Sequence, residues 1–331
     1  MNIPSRPALL RVSAVSLGLV LAGGALAGCS AESTQASTST CGTFPYTLDH
    51  AFGTVTLDAA PKRVAVVTDV DLDIALALGV EPVVYPGYEL GAWQQEYFDE
   101  NGIELDSYDP ADGIDFEAIA ASKPDAILAT SGWSLDEDYA KLNAIAPVIA
   151  YTSDNGLDSM TWIERTELAG CALGLVDEAD AAVSAVTDAF ADAAAAHPEF
   201  AGKTITYAVI HPDQITYSSW EGSDVTFFTD LGFVLPPEAS EFTGDTTGLS
   251  KENVDKLNAD VLVVGFPFGD EGMLSRDQLE SDALFQSLPV VKAGGYTVIG
   301  DDVASPIAYP SPLGLPWALK NVLPFLADAA S

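Results

Sequence analysis

Few side chains in this sequence are arranged to bind a bare metal ion or to catalyse a reaction. The three histidines, His50, His197 and His211, are widely separated, whereas a zinc or manganese site needs several ligands close together. The chain contains no HExxH, GxSxG, phosphate-binding or dinucleotide-binding motif. We therefore expect no resident metal, no cofactor and no catalytic residue.

The segment 69–73, Asp-Val-Asp-Leu-Asp, resembles the opening of a calcium-binding loop. Such a loop needs glycine at its sixth position and glutamate at its twelfth, where this chain has Ile74 and Val80. We interpret the segment as a loop that leads into a helix, with Asp71 or Asp73 near the helix start.

Aromatic residues follow several predicted strands, and ligands of parallel α/β sheets bind beyond the carboxyl ends of the strands. Aromatic rings offer apolar area, while phenol and indole groups keep a hydrogen-bonding atom. Core packing is the commoner explanation for any one ring, but the group favours an aromatic-lined cleft. The candidates are Trp93, Trp133, Tyr151, His211, Tyr217, Trp220, Phe266 and Tyr309. Trp162 and Trp317 lie in helical segments, where we expect core positions.

Apolar and helical segments alternate from Pro61 onward, which predicts parallel sheets covered by helices. The predicted strands are 46–50, 54–57, 64–67, 82–85, 126–129, 148–151, 204–210, 261–265 and 296–299. The predicted helices are 72–78, 92–100, 116–122, 137–145, 226–231, 251–257 and 315–329. Between the halves, Asp180 to Ala196 contains no Gly or Pro and has helical propensity throughout, so one long helix should join them.

One sequence pattern occurs in both halves, in segments 115–128 and 250–263. In each segment a helix-capping residue stands two positions before a glutamate, Glu117 or Glu252, and an aspartate follows eight positions after the glutamate. A generic helix-then-strand unit could give one such segment by chance, but two indicate lobes of similar architecture. The predicted fold class is α/β, with two Rossmann-like lobes joined by a single long rigid helix.

The first 28 residues are typical of a secretory signal peptide. Arg6 and Arg11 flank the start of an apolar segment that is too short and too interrupted by glycine to span a membrane. The segment ends in Leu26-Ala27-Gly28-Cys29, which looks like the lipobox of bacterial lipoproteins, in which Cys29 would carry the lipid. This predicts a protein anchored by lipid to the extracytoplasmic face of the cell membrane. The alternative is an ordinary secreted protein with an incidental cysteine.

Composition limits the partners and sets the domain plan. The formal net charge is −36, and such a field repels nucleic acid and anionic lipid, so we exclude nucleic acid and expect membrane contact only through the lipid anchor. The length suits two lobes of ordinary size. We predict a signal peptide (1–28), a lipidated cysteine with a flexible linker (29–43), an N-terminal lobe (44–178), a connecting helix (179–198) and a C-terminal lobe (199–331).

Cys41 and Cys171 remain once Cys29 is assigned to lipid. An even number of remaining cysteines in an exported chain favours a disulfide, which would attach the N-terminal arm to the first lobe. The alternative is two unrelated buried thiols.

In this order of elements the chain resembles the ABC-importer binding proteins whose lobes are bridged by one rigid helix, which include the ferric-siderophore and vitamin B12 binding lipoproteins. The segments that carry the resemblance are PKRVAVV (61–67), ALALGVEPV (75–83), FEAIAASKPDAIL (116–128), YAKLNAIAPV (139–148), LSKENV (249–254), FQSLPVVKAG (285–294) and SPLGLPWAL (311–319). Each segment alone is weak, but together they are specific and cover nearly all of the mature chain. The iron-siderophore branch is the best match.

The resemblance implies a monomeric, non-catalytic receptor that binds a ferric siderophore and delivers it to the permease subunits of an ABC importer. It implies that Glu117 and Glu252 dock against the permease, while each also favours its helix N-terminus. It implies that the Arg165 guanidinium holds oxygens around ferric iron, the alternative being an ion pair with Glu164 or Glu167.

The sequence does not identify the ligand, and several related ligands are considered. The chain has no run of basic residues that would pair with a triply charged catecholate, which favours hydroxamate complexes. The alternatives are a haem or corrinoid receptor of the same transporter class and, in another class, an extracellular enzyme on a binding-protein scaffold.

Overall fold

Two sheets with parallel strands, one in each half of the chain, organise the fold. The computed structural model describes residues 40–132, 135–152, 160–212, 214–217, 223–241, 248–266 and 274–331. The predicted signal peptide and Cys29 lie outside these ranges. We call residues 40–175 the first lobe and residues 198–331 the second lobe.

The first lobe contains a hairpin, a parallel sheet and the helices that connect its strands. Its strands are β1 (Tyr46–His50), β2 (Gly53–Leu57), β3 (Val64–Val66), β4 (Tyr85–Pro86), β5 (Ser107–Tyr108), β6 (Ala126–Ala129) and β7 (Val148–Ala150). Its helices are α1 (Asp69–Ala77), α2 (Ala92–Asn101), α3 (Phe116–Ser122), α4 (Leu135–Asn143) and α5 (Trp162–Leu173). Strands β3, β6 and β7 pair in parallel in that order, and the short parallel pair β4–β5 lies beside β3.

The second lobe is built on a mixed sheet with the strand order β10–β9–β8–β11–β12. The strands are β8 (Ile205–Ile210), β9 (Gln214–Tyr217), β10 (Gly248–Ser250), β11 (Val261–Gly265) and β12 (Tyr296–Ile299). Strands β8, β11 and β12 are parallel, and β9 and β10 extend the sheet antiparallel. The sequence analysis did not predict β9 and β10, because each is too short to show an alternating pattern.

Helices cover the second sheet and end the chain. They are α7 (Ser223–Thr229), α8 (Arg276–Ser281), α9 (Pro289–Ala293), α10 (Asp301–Ala308) and α11 (Gly314–Ala329). The predicted helix 251–257 is a 3₁₀ segment with non-helical backbone at Asn253. The predicted strands and helices at 116–122, 126–129, 261–265 and 296–299 have the bounds that the sequence indicates.

The lobes are joined by a 21-residue helix, α6 (Val176–Ala196), which begins earlier than the predicted start at 179. Acidic residues Asp177 and Glu178 in its first turn favour that N-terminus. Gly174 ends α5 with φ 75°, a left-handed conformation that suits glycine, and so separates α5 from α6. In the described part of the chain, neither α6 nor any other helix is both long and apolar enough to cross a bilayer.

The repeated sequence pattern has the same structural role in both lobes. The carboxylate of Asp125, just before β6, accepts hydrogen bonds from the amides of Lys62 and Arg63 at 3.0 and 2.8 Å. The carboxylate of Asp260, just before β11, accepts hydrogen bonds from the amide and the hydroxyl of Thr204, both at 2.8 Å. Each aspartate therefore attaches the start of one central strand to the start of its neighbour.

The buried cores follow the division into lobes. One core draws on residues 46–179, and two others draw on residues 186–330. Strands β6 and β11 are completely buried along their length, as expected for parallel strands covered on both faces.

The predicted disulfide is present and joins Cys41 to Cys171 in α5. The first lobe therefore holds the N-terminal arm covalently. Phe44 of the arm packs against Gly174, where a Cβ atom would lie 2.9 Å from the Phe44 ring.

Candidate ligand-binding cleft

The carboxyl ends of β3 and β6 meet at one edge of the first-lobe sheet, where side-chain hydrogen bonds join the following loops. The hydroxyl oxygens of Thr68 and Ser131 lie 2.7 Å apart. Asp71, fully buried at the start of α1, accepts hydrogen bonds from the amide and hydroxyl of Thr130 at 2.9 and 2.6 Å and from the Thr68 hydroxyl at 2.7 Å. Asp71 therefore fixes the shape of this edge.

The first helix carries carboxyl groups with raised pKa values. Burial, together with the negative charges of Asp73 and Asp71, raises the pKa of Asp69 to about 7. Burial also raises the pKa of Asp71, although hydrogen bonds from its threonine partners and the charge of Arg165 lower it. Within the described ranges, no group of three or more His, Cys, Asp or Glu side chains is placed to hold a metal ion. This edge therefore carries several carboxyl groups.

Tyr88 brings a phenol to the same edge. It follows β4 and is 49% exposed. Burial of part of the ring and the negative charge of Asp69 raise the pKa of the Tyr88 phenol. Asp69 is itself partly exposed. Together they provide a hydroxyl and a carboxyl group that a ligand could contact.

Arg165 lies on the first turn of α5 and is partly buried. Its positive charge lowers the pKa of Asp71 in α1. Glu164 has a different role, because its carboxylate accepts hydrogen bonds from the amide and hydroxyl of Thr161 at 2.7 and 3.0 Å in a helix cap. Contact of Arg165 with ligand oxygens and an ion pair with Glu164 or Glu167 both stay predictions.

His211 lies at the carboxyl end of β8 in the second lobe. Its amide donates to the carbonyl of Gln214 at 2.8 Å and closes the turn into β9, and its Nε2 lies 3.3 Å from the Thr216 hydroxyl. The side chain is partly exposed. His211 therefore lies at the carboxyl end of a second-lobe strand, and its role in ligand binding stays a prediction.

Two predicted cleft residues are core residues instead. Tyr151 is 8% exposed, because its ring packs edge-on against Phe52 at 5.4 Å and its carbonyl accepts a hydrogen bond from the Ala51 amide. Phe266 is 4% exposed in a second-lobe core. Residues that directly follow a strand can still point into the core, and sequence position alone does not distinguish the two directions.

Trp93 and Tyr309 lie where the lobes meet. The Trp93 indole nitrogen donates to the Asp73 carboxylate at 2.8 Å, and its ring centroid lies 6.4 Å from that of Trp317. Tyr309 belongs to the second lobe but packs against the first-lobe core. Trp317, predicted as a core residue, is only partly buried. These rings pack between the lobes rather than stand free at a strand end.

The remaining predicted residues cannot be placed. Trp133, Trp220 and Cys29 lie outside the described residues, and of Tyr217 only the backbone, at the end of β9, is described. Their roles in ligand binding and lipidation stay predictions.

Sequence reasoning missed the polar groups of the first-lobe edge. Asp69 and Tyr88 are not among the predicted ligand contacts. A usable signal is present in the sequence, since Asp69 comes shortly after β3 and Tyr88 shortly after β4.

Glu117 and Glu252 occupy equivalent positions in the two lobes. Each is exposed and stands two residues after an N-cap, Asp115 for α3 and Ser250 for the 3₁₀ segment 251–257. The Asp115 carboxylate accepts from the Ala118 amide at 2.9 Å. A helix between parallel strands runs antiparallel to them, so its N-terminus lies at the same edge as the strand carboxyl ends. Both glutamates should therefore lie at the edge on which the cleft opens.

A cavity of about 270 Å³ lies beside the connecting helix rather than at the strand ends. It is lined mainly by apolar side chains, including Trp162, Phe190 and Phe227. Trp162, predicted as a core residue, thus borders this cavity. Because the lining contains none of the predicted ligand residues, we do not equate this cavity with the cleft.

The chain belongs to the periplasmic binding protein family, whose model matches residues 64–303. This matched region contains β3 to β12 with the connecting helix, and so covers both edges described above.

Individual relatives support the same assignment. The solved structure of PiaA from Streptococcus pneumoniae TIGR4 in complex with ferrichrome is 31% identical, with a TM-score of 0.73, over 86% of this chain and 98% of that chain. A periplasmic solute binding protein from Mycobacterium smegmatis is 26% identical, with the same TM-score and coverage. The probable siderophore-binding lipoprotein YfiY of Bacillus subtilis is 24% identical over 84% of this chain and 87% of its own length.

Proposed function

We propose that this protein is an extracytoplasmic receptor that binds a ferric siderophore between its two lobes and delivers it to an ABC importer. The observation that carries the proposal is that each lobe has a strand-end edge at which a ligand could bind. The chain that contains both edges is 31% identical to a ferrichrome-bound protein over 86% of its own length. The relatives compared above are named as binding proteins, and we propose no catalytic step.

A hydroxamate complex suits the first-lobe edge best. Asp69 and Asp71 bring carboxyl groups to that edge, and the positive charge of Arg165 lowers the pKa of Asp71. A triply anionic catecholate complex would meet like charge there, whereas a neutral or cationic ferric hydroxamate would not. Arg165 and the phenol of Tyr88 are suited to contact the oxygens around the iron.

Glu117 and Glu252 are proposed to contact basic residues of the permease. Support comes from their exposure and from their equivalent places in two lobes whose central strands are attached in the same way. Because both glutamates lie on the cleft side, docking would bring the ligand to the entrance of the permease.

The lipid on Cys29 and the linker to residue 43 are proposed to keep the receptor at the membrane. The B. subtilis relative is named a lipoprotein, which supports this reading. A chain of net charge −36 gains nothing from an anionic membrane surface, so a covalent anchor explains how it would stay near the importer.

Tryptophan fluorescence during ligand titration tests the cargo. Ferrichrome should quench the emission with a dissociation constant in the micromolar range or below, iron-free ferrichrome should bind more weakly, and a ferric triscatecholate should bind least. Haem and cobalamin serve as the competing cargoes. Saturable binding of haem or cobalamin, with no response to any ferric hydroxamate, would replace the siderophore assignment. Recovery of chemically unchanged ferrichrome after long incubation would count against an enzyme.

A further inference from the structure

We infer that Asp73 and Ser311 form a joint that holds the two lobes at a fixed angle, in addition to the connecting helix α6. Both are positioning residues, since they act on the ligand only through the placement of the lobes. The inference goes beyond the proposed function, because it concerns how the cleft keeps its shape and not what it binds.

The path of the chain between α10 and α11 provides the first argument. Ile307, near the end of α10, is completely buried in a second-lobe core. Tyr309 and Leu313 then pack against the first-lobe core, and Leu315 returns to the second-lobe core. Residues 309–313, which we call the strap, therefore leave their own lobe, contact the other lobe and come back within seven residues.

Asp73 is the anchor that the first lobe offers to the strap. It lies in α1, is 2% exposed, and its carboxylate accepts three hydrogen bonds. Trp93 and Gln94 of α2 donate at 2.8 and 2.7 Å from within the first lobe. The Ser311 hydroxyl donates at 2.5 Å from the second lobe. One buried carboxylate thus unites α1, α2 and the strap.

Ser311 is equally constrained on its own side. Its side chain is 1% exposed, and its oxygen accepts a hydrogen bond from the amide of Gly314 at 2.9 Å. A Cβ atom at Gly314 would lie 2.8 Å from Pro306 and 3.0 Å from the Ser311 oxygen, so the strap has no room for a larger residue there. The Ser311 oxygen is therefore held between the Gly314 amide and the Asp73 carboxylate.

Contacts nearer the surface support the joint. Glu96 of α2 accepts a hydrogen bond from the Trp317 indole at 3.2 Å and lies 3.7 Å from the Lys320 ammonium group, both on α11. Solvent weakens these exposed contacts, whereas the Asp73–Ser311 bond is shielded from water. We therefore assign the stiffness of the joint mainly to the buried bond.

A joint of this kind would affect ligand capture. A single helix leaves the lobes free to bend and twist about it, and a ligand that closes a mobile cleft must offset the lost motion. A second attachment removes that motion before the ligand arrives. Loss of the Ser311 hydroxyl should then widen the range of lobe separations and speed ligand release.

The test compares two variants that each delete one hydroxyl bonded to a carboxylate. Ser311→Ala breaks the bond between lobes, and Thr204→Val breaks the bond to Asp260 within the second lobe. In the full-length chain, nitroxides attached to p-acetylphenylalanine at the exposed positions Ala140 and Ala293 report the distance between lobes without modifying the cysteines. The width of the distance distribution should at least double in Ser311→Ala and stay unchanged in Thr204→Val.

Ferrichrome dissociation gives the functional readout. It should be at least fivefold faster in Ser311→Ala than in Thr204→Val and the unaltered protein. If Ser311→Ala does not fold, Asp73→Asn, which keeps the side-chain shape, is used instead. The same widening of the distance distribution and the same faster dissociation are expected of it. A Ser311→Ala distribution that overlaps that of the unaltered protein would overturn the inference. Failure of the unaltered protein to bind ferrichrome would instead remove the cargo assignment, and the distance measurement would still decide on the joint.

Discussion

An aspartate attaches the central strands at their starts in both lobes, yet the opposite ends of those strands differ. Asp125 and Asp260 make the same kind of bond to the neighbouring strand. At the carboxyl ends, the first lobe presents Asp69 and Tyr88, while the second lobe turns at His211 into an antiparallel hairpin. The shared ends thus maintain the fold, and the differing ends would give the proposed cleft two chemically distinct walls.

Glu117 and Glu252 are an exposed feature that the two lobes share, and we propose that they dock against the permease. Reversing both charges with Glu117→Lys and Glu252→Lys should abolish siderophore uptake by cells and leave ferrichrome binding by the purified protein unchanged. The control carries Glu100→Lys and Asp328→Lys, which reverse exposed charges outside the repeated segments and should keep uptake. Loss of ligand binding in the first double variant would refute the docking assignment.

The disulfide belongs to the first lobe alone and should make the lobes differ in stability. Replacing Cys41 and Cys171 with serine removes a link between residues 130 positions apart and should lower the free energy of unfolding by about 2–5 kcal/mol. Hydrogen exchange should accelerate mainly in α5 and the β1–β2 hairpin. Equal acceleration in the second lobe would contradict a local role for this bond.

The strand attachments made by Asp125 and by Asp260 should contribute nearly equally to the free energy of unfolding. Asp125→Ala and Asp260→Ala each remove a carboxylate that accepts amide hydrogen bonds, and each should lower the free energy of unfolding by about 1–3 kcal/mol in denaturant titration. Hydrogen bonds from the amide and hydroxyl of Thr204 lower the pKa of Asp260, so its stabilising effect should be present at neutral pH and fade as the pH falls through that lowered value. A large effect in one lobe and none in the other would break the equivalence.

The carboxyl group of Asp69 at the first-lobe edge should make binding of anionic complexes depend on pH. Asp69 has a pKa raised to about 7, so its negative charge grows between pH 6 and pH 8. Affinity for a ferric triscatecholate should fall about fivefold over that range, while affinity for neutral ferrichrome changes little. Asp69→Asn should remove the dependence. The control variant Asp302→Asn, at the start of the helix after β12, should keep the pH dependence. Loss of the pH dependence in this control would show that Asp69 is not its source.

The sequence was a good guide wherever local patterns decide the structure. The apolar segments at 126–129 and 261–265 form the central strands, and Cys41 pairs with Cys171. The repeated pattern around Glu117 and Glu252 ends, in both lobes, in an aspartate that attaches neighbouring strands at their starts. The family resemblance stated from the motifs is confirmed by the family match and the solved relatives.

The sequence was a poor guide where side-chain direction or contact between distant segments decides. Tyr151 follows a strand but packs under Phe52, and Trp93 is held by Asp73. The partnership of Asp73 with Ser311 joins positions 238 residues apart, which no local pattern can reveal.

Equilibrium dialysis against ⁵⁵Fe-labelled ferrichrome tests the central claim most directly. We predict saturation at one iron per chain, with half-saturation at micromolar ferrichrome or below and competition by unlabelled ferrichrome. Retention of no iron complex by a protein with intact folding would contradict the account.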